Sequence, residues 1–172
     1  MNVKNNKRRR ESMTKIGKAF VELLQSRELN KISVSDICAM TGLNRSTFYA
    51  NYEDIYDLAD KVRQGLEEDF GRLFADYDYY HEHTGALKMF THIKENQLFY
   101  KTYFKLCREG TPQVTVYDRQ RAELEMGNKH MEYHIEFFRN GFNAIVKMWL
   151  AGGCAESPEE MAEILRQEYR GR

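Results

Sequence analysis

Residues 33–52, SVSDICAMTGLNRSTFYANY, have the pattern of two short helices joined by a tight turn. Val34 and Ile37 recur at helical spacing in the first part, and Phe48 supplies the apolar side of the second. Gly42 follows the first helix at a point where such a reversal needs a residue that tolerates positive φ. This stretch predicts a helix-turn-helix.

The second helix of this pattern is polar on one side. A recognition helix needs such a division, because its apolar side must be held rigidly while its polar residues enter the major groove of DNA. Arginine to guanine is the commonest specific pairing there. We predict that the residues able to reach base edges are Asn44, Arg45, Ser46, Thr47 and Asn51. Two helix caps are also expected: Asn44 for this helix, and Ser33, in a capping box with Asp36, for the preceding one.

Several groups of residues in and after this stretch resemble the DNA-binding domain of the tetracycline-repressor (TetR/AcrR) family. They are SVSDI at 33–37, TGL at 41–43, TFY at 47–49, and Tyr52 with the later Asp57-Leu58. HIKEN at 92–96, followed by Phe99-Tyr100, is similar to the C-terminal body of a Firmicutes-type subgroup.

The resemblance also implies which residues bind the DNA backbone. Ser33 is expected to bind phosphate through its helix N-terminus, and Tyr49 through its hydroxyl. The chain departs from the family at Ile55, where many members carry a lysine that touches the DNA backbone.

Charge is unevenly distributed along the 172 residues, although the formal net charge is zero. Residues 1–51 contain 10 Lys and Arg against 4 Asp and Glu, which leaves 16 against 22 for the remainder. This distribution favours a basic end that meets phosphate and an acidic remainder that faces protein. We predict that residues 1–10 form a flexible basic arm, in which Arg8, Arg9 and Arg10 either bind DNA or act as a solubilising tail.

Other classes of protein find little support in the sequence. No apolar run approaches the length of a membrane span, so we predict a cytoplasmic protein without a membrane partner. The three cysteines are widely separated and have neither a disulfide framework nor metal-ligand spacing. His130 and His134 share a helical face, but no third ligand is evident nearby, and His81 and His83 also lack one. We predict no metal, no cofactor and no enzymatic activity.

The remaining periodicity is helical throughout, which predicts an all-α fold. We divide the chain into the arm, a helix-turn-helix domain at 11–56 whose first helix spans 12–26, and a C-terminal helical domain at 57–172. Aromatic residues of the last domain could line an effector pocket or could fill its core. They are Phe70, Phe74, Tyr77, Phe90, Phe99, Tyr103, Phe104 and Phe142.

The last two predicted helices carry apolar stripes. Gly152-Gly153 are expected to end the first of them, because they permit a left-handed cap, and Ser157 is expected to cap the second in a box closed by Glu160. Family members dimerise through their last two helices, so these stripes either form a four-helix interface between identical subunits or fill the core of one subunit. The residues predicted for the interface are Ile135, Phe138, Phe142, Ile145, Trp149, Met161, Ile164 and Leu165.

These observations predict a TetR-like transcriptional regulator. We expect a homodimeric repressor that binds a palindromic operator in double-stranded DNA and is released by a small-molecule effector. The alternative is a protein of the same fold that acts as a coactivator or interaction module and does not bind DNA on its own. Salt-dependent DNA binding would distinguish the two.

Overall fold

The computed structural model describes residues 3–74, 84–107 and 130–170. Within these ranges the chain forms α-helices and one short 3-10 turn at Leu29–Lys31, with no strand, so the predicted all-α fold is confirmed. The helices are α1 (Val3–Ser26), α2 (Val34–Thr41), α3 (Arg45–Tyr49), α4 (Ile55–Phe74), α5 (Thr84–Glu95), α6 (Gln97–Leu106), α7 (Met131–Ala151) and α8 (Pro158–Arg170). None of the helices in the described residues is long and apolar enough to cross a membrane.

The chain divides into two compact units. The first comprises residues 1–68 and 105–109, and the second comprises residues 69–104 and 110–172. This division differs from the boundary that we predicted at residue 56. The difference arises because Ile55, Leu58 and Ala59, in the first turns of α4, are buried in the core of the first unit.

The core of the first unit joins apolar residues from α1 to α4 with one residue from the end of α6. Its buried members are Ile16, Ala19, Phe20, Leu24, Ile32, Val34, Ile37, Phe48, Tyr52, Ile55, Leu58, Ala59 and Leu106. Lys105 donates to the backbone oxygen of Leu24 at 2.6 Å, near the end of α1, where carbonyl groups lack partners within the helix. The helix-turn-helix is therefore held on a continuous apolar base.

The first helix begins earlier than the sequence predicted. Residues 3–10, for which we predicted a flexible arm, form the first two turns of α1. Lysine and arginine are good helix formers, so the basic composition of this segment is compatible with a helix. Ser12, where we expected the helix to start, lies inside it, and its hydroxyl donates to the carbonyl of Arg8 at 3.0 Å.

The second unit contains α5, α7, α8 and most of α6. Its turn between α7 and α8 agrees with the sequence prediction: Gly153 adopts a φ of 73°, and Ser157 forms a capping box with Glu160. The backbone oxygen of Glu156 in this turn accepts hydrogen bonds from Lys94 at 3.0 Å and from the Trp149 indole at 3.3 Å. These bonds fix the start of α8 against α5 and α7.

Some of the aromatic residues that were expected either to line a pocket or to fill the core are part of this core. Phe90 and Phe142 are fully buried, with their ring centroids 5.8 Å apart, and Phe90 also contacts Trp149 edge-on. Tyr103 is buried as well, whereas Phe99 and Phe104 are half-buried. The side chains of Phe70 and Phe74, and all of Tyr77, lie outside the described residues.

Three of the eight residues predicted for the dimer interface face the interior of their own subunit. Phe142, Trp149 and Met161 are buried within the single chain, which leaves them no surface for a partner. A stripe repeating every three or four residues marks an apolar face but does not say what covers it. The other predicted members retain more surface: Ile135, Phe138, Ile145 and Leu165 are half-buried, and Ile164 is exposed.

Candidate nucleic-acid interface

The start of α2 is fixed by the predicted capping box. The amide of Asp36 donates to the Ser33 hydroxyl at 3.2 Å, and the amide of Ser33 donates to the Asp36 carboxylate at 2.9 Å. Arg27 adds an ion pair to the same carboxylate at 3.0 Å. Hydrogen bonds from Ser33, followed by the one from Arg27, lower the pKa of Asp36 to about 2. The carboxylate thus stays ionised while the exposed Ser33 keeps its place at the helix start.

The turn between α2 and α3 has the geometry that the sequence predicted. Gly42 follows α2 with a φ of 69°, and its amide donates to the carbonyl of Cys38 at 3.0 Å. Thr41 braces the turn, because its hydroxyl donates to Ile37 and accepts from the amide of Leu43. These bonds set the direction in which α3 leaves α2.

Helix α3 separates an anchored side from an exposed side. Phe48 is buried in the core, while Asn44, Arg45 and Ser46 are exposed at the start of the helix. Asn44 occupies the predicted capping position, but its side chain accepts a hydrogen bond from the Thr47 hydroxyl at 2.8 Å and not from a backbone amide. Asn44, Arg45 and Ser46 are therefore exposed on a helix that is anchored by the buried Phe48.

Arg45 and Tyr49 are positioned by contacts with neighbouring residues. The guanidinium of Arg45 donates to the hydroxyl of Ser35 at 2.8 Å, which joins α3 to the first turn of α2. Tyr49 is 55% exposed, and its ring meets Phe48 edge-on at 5.6 Å between centroids. Both side chains belong to the exposed surface of the helix-turn-helix, and sequence reasoning did not identify Ser35 as a partner of Arg45.

Asn51 lies in the turn after α3, not on the polar side of the recognition helix as we predicted. Its side-chain oxygen accepts from Arg9 at 2.9 Å, and its side-chain nitrogen donates to the carbonyl of Thr47 at 2.8 Å. Its own carbonyl accepts from Lys61 at 3.2 Å. Asn51 therefore connects α1, α3 and α4, and both the oxygen and the nitrogen of its side chain are bonded within the protein.

The start of α4 presents carboxylates. Ile55 is buried, and Asp54 accepts from the amides of Tyr56 and Asp57 at 2.8 Å each. The Asp57 carboxylate accepts from Lys61 at 2.8 Å, and this bond is the main cause of the lowered pKa of Asp57. The helix start is thus occupied by acidic side chains, and Lys61 is paired with one of them.

The histidines predicted not to bind metal fall in two regions. His130 precedes α7 with a φ of 64°, and His134 lies in the first turn of that helix; both are exposed. No group of three or more His, Cys, Asp or Glu that could hold a metal ion occurs within the described residues. His81 and His83 lie outside those residues.

Comparison with known families and proteins identifies relatives of this chain. The family model described as the transcriptional regulator C-terminal region, TetR_C_8, matches residues 81–170, more than half of the chain. A 90-residue stretch is 37% identical to the HTH-type dhaKLM operon transcriptional activator DhaS of Lactococcus lactis subsp. lactis (strain IL1403). This match covers 52% of the chain and 46% of the relative, so the chain spans about half the length of that curated protein.

Two solved structures share the fold. A TetR transcriptional regulator from Streptococcus agalactiae 2603V superposes with a TM-score of 0.68 at 20% identity, covering 95% of this chain and 96% of that one. The dihydroxyacetone kinase operon activator DhaS superposes with a TM-score of 0.50 at 21% identity, covering 91% and 93%. The matched family and the curated relative are transcriptional regulators and not enzymes. The chain belongs to the TetR family of transcriptional regulators, as its helix-turn-helix residues indicated.

Proposed function

We propose that the protein binds DNA as a homodimer at a palindromic operator and thereby regulates transcription from a neighbouring promoter in the cytoplasm. The observation that carries the proposal is α3, where Phe48 is buried and Arg45, Ser46 and Tyr49 are exposed above it. A dimer of this kind sets its two recognition helices about 34–36 Å apart, in successive major grooves.

The exposed residues divide by role in this proposal. Arg45 is the main base-reading residue, joined by Asn44, Ser46 and the half-buried Thr47. Its bond to Ser35 has to be exchanged for one to a base edge when DNA binds. Ser33 and Tyr49 bind phosphate and position the helix without reading sequence. Arg8 and Arg10 supply further phosphate contacts. Asn51 lies beyond the end of α3 and links it to α1, so we do not assign it to the bases.

Binding of the purified protein to fragments of its own upstream DNA tests this function. We expect saturable binding that weakens steeply with salt, since each phosphate contact releases counterions. Arg45→Ala should cost about 1–3 kcal/mol and relax the sequence preference. Tyr49→Phe should cost about 1 kcal/mol on every sequence alike, because it removes only a hydroxyl.

Lys88→Ala serves as a matched control for the loss of one positive charge, because Lys88 is exposed on α5 in the other unit. It should leave DNA affinity unchanged. If the folded protein binds no fragment at low or at high salt, the proposal is contradicted and the interaction module is favoured. The next step would then be to identify protein partners.

The exposed face of α7 supports dimerisation. Tyr133, Phe137 and Met148 are 76%, 59% and 72% exposed. Their spacing of 4 and 11 residues places them on one side of the helix, with the exposed Ala144 between them. Large apolar side chains grouped in this way are typical of an interface between subunits. We therefore move the proposed interface to this face, together with the exposed Ile164 of α8.

The direction of regulation has two candidates. We predicted repression from the sequence, whereas the similar protein from Lactococcus lactis is an activator, which favours activation as the second candidate. A promoter-reporter assay in cells with and without the protein separates them, since loss of a repressor raises expression and loss of an activator lowers it.

The proposal extends to a small-molecule effector that binds the second unit. Of the aromatic residues predicted for its site, Phe99 and Phe104 retain accessible surface. An effector acts only through its different affinities for the DNA-bound and free states. A ligand present at 100 times its Kd would raise the free energy of unfolding by about 2.7 kcal/mol, which a thermal-shift screen detects. Effector action also requires that the same ligand change DNA affinity.

A further inference from the structure

Arg9 connects the first turns of α1 to the turn that follows the recognition helix. Its Nε donates to the side-chain oxygen of Asn51 at 2.9 Å, and the side-chain nitrogen of Asn51 donates to the carbonyl of Thr47 at 2.8 Å. The bonded chain therefore runs from α1 through Asn51 to the backbone of α3. Tyr49, which we propose to bind phosphate, lies two residues before Asn51.

We propose that Arg9 is a positioning residue whose bond to Asn51 holds the first two turns of α1 as a preformed phosphate-binding extension of the recognition helix. Lys7, Arg8 and Arg10 are the cations that this extension offers to the DNA backbone. The inference rests on the proposed DNA-binding function and assigns a separate role to Arg9.

The extension needs an anchor because its described side chains, from residue 6 onward, have no apolar base. Every side chain from residue 6 to residue 11 is exposed, and the first fully buried side chain after them is that of Ile16. The end of a helix without packed side chains frays readily, since its first amide groups have no partner in the helix. The bond from Arg9 ties this segment to a residue outside α1.

The charges of the segment fit the DNA backbone. Within the described residues, no ion pair involves Lys7, Arg8 or Arg10, and Glu11 is the acidic neighbour along the helix. Elsewhere in the same unit, Arg27 and Lys61 are paired with carboxylates. The cations at the start of α1 are therefore available to phosphate groups.

Anchoring and direct phosphate binding have different signatures. A residue that binds phosphate sets the slope of log affinity against log salt, by about 0.9 for each contact. A residue that only preorders the segment changes affinity without changing that slope, because the same phosphates are still neutralised after ordering. Loss of one hydrogen bond should weaken affinity about 2–10-fold.

The first measurement uses the protein without DNA. Because α1 begins at Val3, amides from residue 7 onward can donate within the helix. We expect hydrogen exchange of amides 7–10 to become about 2–10-fold faster in Arg9→Ala and in Asn51→Ala. Lys18→Ala, which removes an exposed cation farther along α1, should leave it unchanged. Equal exchange rates in all these proteins would overturn the anchoring role.

The second measurement compares DNA affinity at several salt concentrations. Arg8→Ala should lower the slope by about 1 per subunit. Arg9→Ala and Asn51→Ala should each weaken binding at unchanged slope. The double variant should be no weaker than Asn51→Ala alone, since Asn51→Ala already removes the contact that Arg9→Ala removes. If Arg9→Ala lowers the slope as Arg8→Ala does while Asn51→Ala is neutral, Arg9 itself binds phosphate and the inference is wrong.

The two measurements distinguish failure of the anchoring role from failure of the proposed DNA-binding function. No DNA binding by the unsubstituted protein would overturn the proposed function, and the phosphate-binding role of the extension with it. The exchange rates would still decide whether Arg9 anchors α1.

Discussion

Replacing Gly42 with alanine should destabilise the protein by about 1 kcal/mol, through backbone conformation alone. Gly42 ends α2 with a φ of 69°, and its amide is bonded to the carbonyl of Cys38. A Cβ placed on Gly42 meets no heavy atom within 4 Å in the described part of the chain. The substitution therefore adds no steric contact, and the left-handed conformation is the source of the cost.

The size of the effect follows from two opposing contributions. The left-handed conformation costs a residue with a Cβ about 1–2 kcal/mol, while the unfolded chain loses freedom worth about 0.4–1 kcal/mol when glycine becomes alanine. Asparagine tolerates this conformation better, so Gly42→Asn should cost less than Gly42→Ala.

Gly17 offers a matched control of opposite sign. It lies inside α1, and a Cβ there also meets nothing within 4 Å in the described residues. Gly17→Ala should stabilise the protein by about 0.5–1 kcal/mol, because alanine is the better helix former.

Urea unfolding followed by far-ultraviolet circular dichroism gives the three differences from the shifts in midpoint. The expected order of stability is Gly17→Ala, unsubstituted protein, Gly42→Asn and Gly42→Ala. If Gly42→Ala is as stable as the unsubstituted protein while Gly17→Ala is stabilised, the positive φ at Gly42 does not carry the cost that we assign to it.

Three further predictions concern the cap, the core and the dimer. Ser33→Ala should destabilise the protein by about 1 kcal/mol at neutral pH through loss of the α2 cap, as measured by urea unfolding. The pKa of Asp36 is about 2 in the folded state and its ordinary value is 3.8, so its stabilising effect should be complete above about pH 4 and lost as the pH falls towards 2. Ser33→Ala should flatten this pH dependence of stability. An unchanged pH profile would contradict the assignment of the lowered pKa to the bonds from Ser33. Phe90→Ala should cost about 3–5 kcal/mol in thermal or urea unfolding because Phe90 is fully buried, and a cost below about 1 kcal/mol would mean that this core is not packed as described. Met148→Glu should weaken dimerisation about 100-fold in analytical ultracentrifugation, because it buries an unpaired charge in the proposed interface. Thr14→Glu, at an exposed position in the first unit, is the control. Equal dimerisation of both variants would exclude the exposed face of α7 as the interface.

The parts of the fold that the sequence predicted correctly depend on contacts between residues close in the chain. The capping boxes of Ser33 and Ser157 each bond residues three positions apart, and the positive φ of Gly42 and Gly153 belongs to single residues. Such features are set by local chemistry, which a short stretch of sequence contains in full. The features at Ser33 and Gly42 helped to identify the helix-turn-helix from the sequence.

The parts that the sequence could not predict depend on residues far apart in the chain. Asn51 has an amide side chain of the kind that reads bases, and the sequence does not show that this side chain is bonded to Arg9, 42 positions away. Likewise, α7 has apolar residues on two faces, and periodicity alone does not say that Phe142 is covered by Phe90 while Phe137 is exposed. Helix phase identifies faces, whereas tertiary packing decides which of them meets solvent.

The acidic residues of the first unit bear on where DNA can approach it. Asp36 lies in the first turn of α2 and is paired with Arg27. Asp54 precedes α4, and Asp57, in the first turn of that helix, is paired with Lys61. These carboxylates reduce the positive potential at both helix starts, even though helix N-termini generally attract phosphate. Within the described residues, Lys7, Arg8 and Arg10 at the start of α1 form no ion pair with a carboxylate. We therefore expect the salt dependence of DNA binding to come mainly from the cations at the start of α1. Charge reversal at Asp57 should increase DNA affinity by removing repulsion at the start of α4.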